Sequence, residues 1–101
     1  MSAGEILVKI DPRIAELVPK FLAHCKRNAA DVRGAVETGN LEIARRIGHS
    51  LAGAGSSYGF DEIGSIGREI DFAARSRDRA ALLTQVERLE DYLGRVRPVF
   101  E

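Results

Sequence analysis

Three side chains in this sequence carry a nitrogen or sulfur able to act as a soft nucleophile or a transition-metal ligand: His24, Cys25 and His49. A metal centre needs three or four convergent ligands. His24 and Cys25 are adjacent, so on a helix they face different directions. His24 falls on a polar side and reads as a surface imidazole. Cys25 falls on an apolar stripe and reads as a buried, reduced thiol of a cytosolic protein. No metal site is therefore expected. His49 is different in its company: Arg45 and Arg46 lie one turn before it and Gly53 one turn after. A neutral imidazole, whose free form titrates near about 6.5, is a competent nucleophile at cytosolic pH. Neighbouring guanidinium groups would offer charge to an anion held on it. The chemistry that this suggests is reversible phosphoryl carriage. It needs no deep pocket on this chain, because a partner can bring the metal and the organised electrostatics. Spacing alone leaves a plainer reading open: a solvated histidine, with Arg45 and Arg46 paired to Glu42 or Glu69.

These residues must be positioned by helices, because the dominant apolar period is three to four and no strand or β-hairpin signal is evident. Asp11-Pro12 reads as an N-cap followed by proline at the first helical position, opening a short helix over 11–17. Pro19 then kinks that helix or restarts it. Val18, Leu22, Cys25, Ala29, Val32 and Val36 give the next helix, 19–38, its apolar face. Gly39-Asn40 ends it and caps a helix over 41–58, which Gly59 can terminate. Asp61 is expected to cap a helix over 61–76 with Ile63, Ile66, Ile70 and Ala74 or Ala73 inward. Asp78 is expected to cap the last, 79–96, with Leu82, Val86, Leu89, Leu93 and Val96 inward, and Pro98 marks its end. Four amphipathic helices joined by short turns bury their stripes best as an antiparallel bundle, so the expected fold is all-α: a four-helix bundle with a short extra N-terminal helix, in one domain over 1–101.

On the helix over 41–58, with about 100° per residue and His49 at zero, Ala44, Ile47, Leu51, Ala54 and Tyr58 cluster opposite the histidine. His49 then points away from the core. Arg45, Arg46, Ala52, Gly53 and Ser56 share its face, within about 60° on the same wheel. Each glycine here disfavours the helix by about 0.8–1.0 kcal/mol relative to Ala. Gly48 and Gly55, near the core boundary, suit close packing of a neighbouring helix. Gly53 lies on the open side, where a missing side chain leaves room for another protein to approach the imidazole.

Composition narrows the class. At 101 residues there is room for a single core, and 45% apolar with 30% charged residues describes a folded globular chain. Fifteen basic residues balance fifteen acidic ones and there is no Trp, so nothing favours nucleic acid. No apolar run is long enough to cross a membrane, and the first residues lack the pattern of a signal peptide.

Read as a string, Ile47-Gly48-His49-Ser50-Leu51-Ala52-Gly53-Ala54-Gly55-Ser56-Ser57-Tyr58-Gly59-Phe60 resembles the histidine-containing phosphotransfer (HPt) domain. The signature of that family is a histidine followed by Leu two, Lys three, Gly four and Gly ten positions later. His49, Leu51, Gly53 and Gly59 match, and Ala52 stands in place of the lysine. Ile63, Ile66, Ile70, Asp71, Ala74 and Asp78 match the following helix, and residues 35–40 match the turn before the histidine helix. The resemblance covers about residues 10 to 97. It implies that His49 is phosphorylated, that Leu51 and Gly59 are structural, and that a receiver domain of a response regulator or hybrid kinase docks over the His49 face. It implies a cytoplasmic carrier in two-component signalling, without activity of its own and without a cofactor, the Mg²⁺ residing on the receiver. A monomer is expected. With the family lysine absent, Arg45, Arg46 and, from the next helix, Arg75 are candidates to neutralise the phosphoryl charge. The alternative is a degenerate adaptor bundle that docks without being phosphorylated.

Overall fold

The structure, a computed structural model, describes residues 4–101. Strand β1 (Ile6–Ile10) leads into a 3-10 helix (Pro12–Leu17), then α1 (Val18–Thr38), α2 (Leu41–Tyr58), α3 (Asp61–Arg75), α4 (Arg79–Arg95) and strand β2 (Val96–Phe100). Each helix packs on its neighbours in sequence, and α1 closes the ring against α4. The four-helix bundle that the periodicity predicts is therefore present. Its most extensive pairing is α2 against α3.

The core is built from the predicted stripes. Val18, Cys25, Ala29, Val32 and Val36 of α1 are buried, with Leu22 at their margin. Ile63, Ile66, Ile70, Ala73 and Ala74 of α3 and Leu82, Val86, Leu89 and Leu93 of α4 are buried as well. Burial pushes the Cys25 thiol up to about 12, which keeps it protonated and unreactive. Phe21 meets Tyr58 edge-on, 4.4 Å between ring centroids, and tilts against Phe60 at 5.7 Å, closing the end of the bundle beside the strands.

The helix ends follow local chemistry, with some departures from expectation. Asp11 accepts from the Arg13 backbone N–H at 2.9 Å, and the Arg13 guanidinium holds its carboxyl down at about 2. The first helix is 3-10 rather than α, and α1 starts at Val18 with Pro19 inside its first turn, where no N–H is needed. Gly39 and Gly59 end α1 and α2 in the left-handed conformation, φ 77° and 86°, which a glycine adopts without Cβ strain. Asp78 caps α4 by accepting from the Ala81 N–H at 3.0 Å. Asp61 does not cap α3: Phe60 occupies that position and Asp61 lies in the first turn, where its charge still complements the helix dipole. Asn40 sits at the N-cap of α2 without a side-chain cap bond.

The two strands are a correction to the strand-free reading. They pair in parallel, Ile6 opposite Val96 and Ile10 opposite Phe100, so the whole bundle serves as the crossover between them. Pro98 does not follow the last helix as a stop; it stands inside β2 opposite Val8. The Glu101 N–H donates to the Ile10 carbonyl at 3.3 Å, so alternate residues Arg97, Val99 and Glu101 turn towards β1. Pro98 faces the outer edge, where its missing N–H breaks no ladder bond. Val96, expected at the end of α4, begins β2 instead.

Candidate functional site

The site begins at the seam between α2 and α3. A Cβ on Gly48 would stand 2.6 Å from the Asp71 backbone nitrogen and 2.8 Å from the Gly67 carbonyl oxygen. One on Gly67 would meet the Ala52 nitrogen at 2.5 Å, and one on Gly55 would run into the Gly64 backbone. Four glycines thus let two helix backbones approach closer than any side chain permits. Leu51 is buried beneath them and anchors α2 in the core. Gly59, the last residue of the matched pattern, supplies the turn that folds α3 back along α2.

This close approach has a direct consequence for His49, the residue after Gly48. The imidazole is 76% exposed, and its Nδ1 lies 3.8 Å from Oδ2 of Asp71. Asp71 is drawn to that position because Gly48 admits its backbone. The carboxylate is half-buried and its other oxygen accepts from Arg75 Nε at 2.8 Å. His49, Asp71 and Arg75 therefore form a row across the two helices, with the anion in the middle. At 3.8 Å the first contact is electrostatic rather than a hydrogen bond; a small rotation of the exposed ring would close it.

The remaining predicted residues divide. Gly53 has nothing within 4 Å of the place where a Cβ would be, so the surface one turn beyond the histidine is open. Ser56 lies on the same exposed side, its hydroxyl near the α3 seam beside Gly64. Ala52 is half-buried at the seam, with its backbone against Gly64 and Gly67. Arg45 does not reach over the imidazole freely: Glu42 accepts from its Nε at 2.9 Å and its Nη2 at 2.7 Å. That fork raises the Arg45 pKa, and the same bond lowers that of Glu42, helped by the charges of Arg45, Arg46 and Arg75. Arg46 is exposed and makes no ion pair among the described residues. His24 is exposed on α1, which carries none of these residues.

Asp71 is the residue that sequence reasoning failed to place in the site. It was legible as an acidic residue on a matched helix, but its role depends on interhelical distance. A signal existed in the glycines at 48, 55, 64 and 67, which mark one continuous seam once α2 and α3 are antiparallel.

A hollow of about 380 Å³ lined by Ile6, Val8, Gly59, Asp61, Glu62 and Tyr92 lies at the strand end of the bundle and involves no residue of the His49 row. Among the described residues no group of three His, Cys, Asp or Glu is placed to hold a metal ion, and no helix is long and apolar enough to cross a membrane. The site is an exposed patch: an imidazole, a carboxylate behind one nitrogen, nearby guanidinium groups and a bare stretch of helix. Such a surface suits chemistry completed by a second protein.

The Hpt domain family matches residues 16–98 of the chain. No curated protein and no solved structure gives a significant match. Domains of this family act as phosphotransfer modules of two-component signalling and interact with receiver domains. The matched span takes in all four helices and the His49 row, and on that match the chain belongs to the Hpt domain family.

Proposed function

We propose that the chain carries a phosphoryl group on His49, accepting it from and returning it to aspartates of receiver domains. The observation that supports this best is the combination of a 76% exposed imidazole with a carboxylate 3.8 Å behind its Nδ1. A neutral imidazole has one protonated and one free nitrogen, and the partner of the first decides which is which. With Asp71 behind Nδ1, the proton sits on Nδ1 and the lone pair of Nε2 faces the partner. That lone pair attacks the phosphorus of an acyl phosphate. The P–N bond forms, the P–O bond to the receiver breaks, and its carboxylate leaves. The ring gains positive charge in the process, and Asp71 is placed to balance it. Reversal with a second receiver returns the phosphoryl group and the free imidazole.

The remaining groups have supporting parts. Arg75 holds Asp71 in place by donating to its other oxygen, and its charge adds to the positive potential of the α2–α3 face. Arg46 and the Glu42-bound Arg45 add positive potential to the same face. Together they stand in for the lysine that Ala52 lacks, since a phosphoryl group near pH 7 carries a charge of about −2. Mg²⁺ belongs to the receiver, and the chain needs no cofactor of its own. Gly53 gives the receiver clearance to bring its acceptor to bonding distance. The carrier is a cytoplasmic monomer when free, and the patch is built for a hetero-partner.

The second reading, a docking adaptor that is never phosphorylated, is favoured by one observation, the absence of the lysine. Incubating the chain with phosphorylated receivers separates the two. The carrier reading predicts an acid-labile, base-stable adduct on wild type and none on His49→Gln. An adaptor would bind the receivers and take up no label.

A further inference from the structure

Phe72 is the most exposed large apolar side chain among the described residues, 68% accessible in the last turn of α3. Nothing in the fold requires it there. The core stripe of α3 is complete without it in Ile63, Ile66, Ile70, Ala73 and Ala74. Leaving a phenylalanine in water forgoes most of the favourable burial of its ring, so a bundle selected only to fold has no use for it at this position.

Its surroundings say what it fits. Phe72 follows Asp71, whose carboxylate meets the His49 imidazole. It therefore stands level with the histidine along the paired helices, about 100° further round α3 towards solvent. Arg68, one turn before it, and Arg75, nearly one turn after it, project on the same side of α3. Arg68 is exposed and makes no ion pair among the described residues, as is true of Arg46 across the seam. An aromatic residue bracketed by guanidinium groups is the composition found at the energetic centres of protein interfaces.

We infer that Phe72 anchors the receiver domain on the α2–α3 face, its ring filling an apolar hollow of the receiver next to the acidic site from which the phosphoryl group comes. The occupant follows from charge: unpaired Arg68 beside the ring and unpaired Arg46 on the exposed face of α2 call for a partner that presents carboxylates around an apolar patch. The centre that holds an acceptor aspartate is acidic by its chemistry. Phe72 is thus a positioning and specificity residue, which touches the partner and not the phosphoryl group. This inference rests on the carrier reading given above for the identity of the partner.

The test is steady-state transfer from purified receiver domains, phosphorylated with acetyl phosphate, to the full chain, together with direct binding of the same receivers. For the receiver that transfers fastest to wild type, Phe72→Ala should raise KM about tenfold or more with kcat unchanged, and Phe72→Leu should recover part of the loss. Binding to His49→Gln should weaken by the same factor when Phe72→Ala is added. A shift in helix content or melting would point to a structural role, and so would equal losses in KM and kcat; either overturns the anchor. Wild-type label uptake with an unchanged KM for Phe72→Ala leaves the carrier standing and removes the anchor. Receiver binding that needs Phe72 without label uptake keeps the anchor and removes the carrier. No binding to any receiver removes both.

Discussion

Two glycines of α2, five residues apart, are the same residue type for opposite reasons. Gly48 faces α3, where a methyl group would strike the backbone of Asp71 and Gly67. Gly53 faces open space, where a methyl group would meet nothing within 4 Å. The seam side is determined by this chain alone: its glycines make the helices approach and thereby bring the Asp71 carboxylate to His49. Nothing in this chain requires the open side to be bare, and the proposed carrier uses it as clearance for a second molecule. One helix thus holds two kinds of information, one needed to build the site and one needed to use it.

The sharpest way to break that distinction is to add a methyl group on each side. Gly55→Ala places a Cβ against the backbone of Gly64, which cannot rotate away as a side chain would. It should destabilise by about 3 kcal/mol, read as a lower urea midpoint. A cost below 1 kcal/mol would mean that the seam is looser than the geometry states. Asp71→Asn tests what the seam delivers. It keeps the shape, removes the charge behind Nδ1, and should slow transfer about tenfold, equivalent to roughly 1.4 kcal/mol. Its melting temperature should change little, because the ion pair with the exposed Arg75 is worth little to folding. Transfer at the wild-type rate would remove Asp71 from the site.

Ala52→Lys restores the family residue at the margin between the two sides. A partly exposed charge-assisted contact is worth on the order of 1 kcal/mol, so phosphohistidine half-life should lengthen several-fold at low salt and less at high salt. No change in half-life would show that Arg75 and its neighbours already supply the charge. Gly53→Ala is the mildest probe. On an exposed helical position it should stabilise by up to about 0.8–1.0 kcal/mol, the reverse sign of Gly55→Ala. A loss of stability there would contradict the open-face reading.

The bundle was legible because helical periodicity is a local signal repeated over each stripe, and the wheel placed His49 opposite Leu51 from that signal alone. What escaped has a common cause in distance. Asp71 reaches His49 across an interface whose width is fixed by glycines on both helices, and no periodicity within either helix reports it. The strands escaped for a related reason. Five residues such as Ile6–Ile10 alternate too briefly to stand out, and Pro98 argues against a strand until its missing N–H is seen to face the outer edge. Arg45 was legible as a cation but not as one already forked onto Glu42, since that choice lies in rotamers rather than spacing. The cap of α3 failed because Asp61 fits both the N-cap and the first turn, and the chain direction set by Gly59 and Phe60 decides between them.

In the proposed carrier, His49 holds the phosphoryl group on the nitrogen turned away from Asp71. Nitrogen-15 NMR of the chain labelled at its two histidines, recorded after transfer from a phosphorylated receiver, reads this directly. The expected result is an adduct on Nε2 of His49 with the proton retained on Nδ1, and an unchanged His24. An adduct on Nδ1 of His49, or on His24, would contradict it.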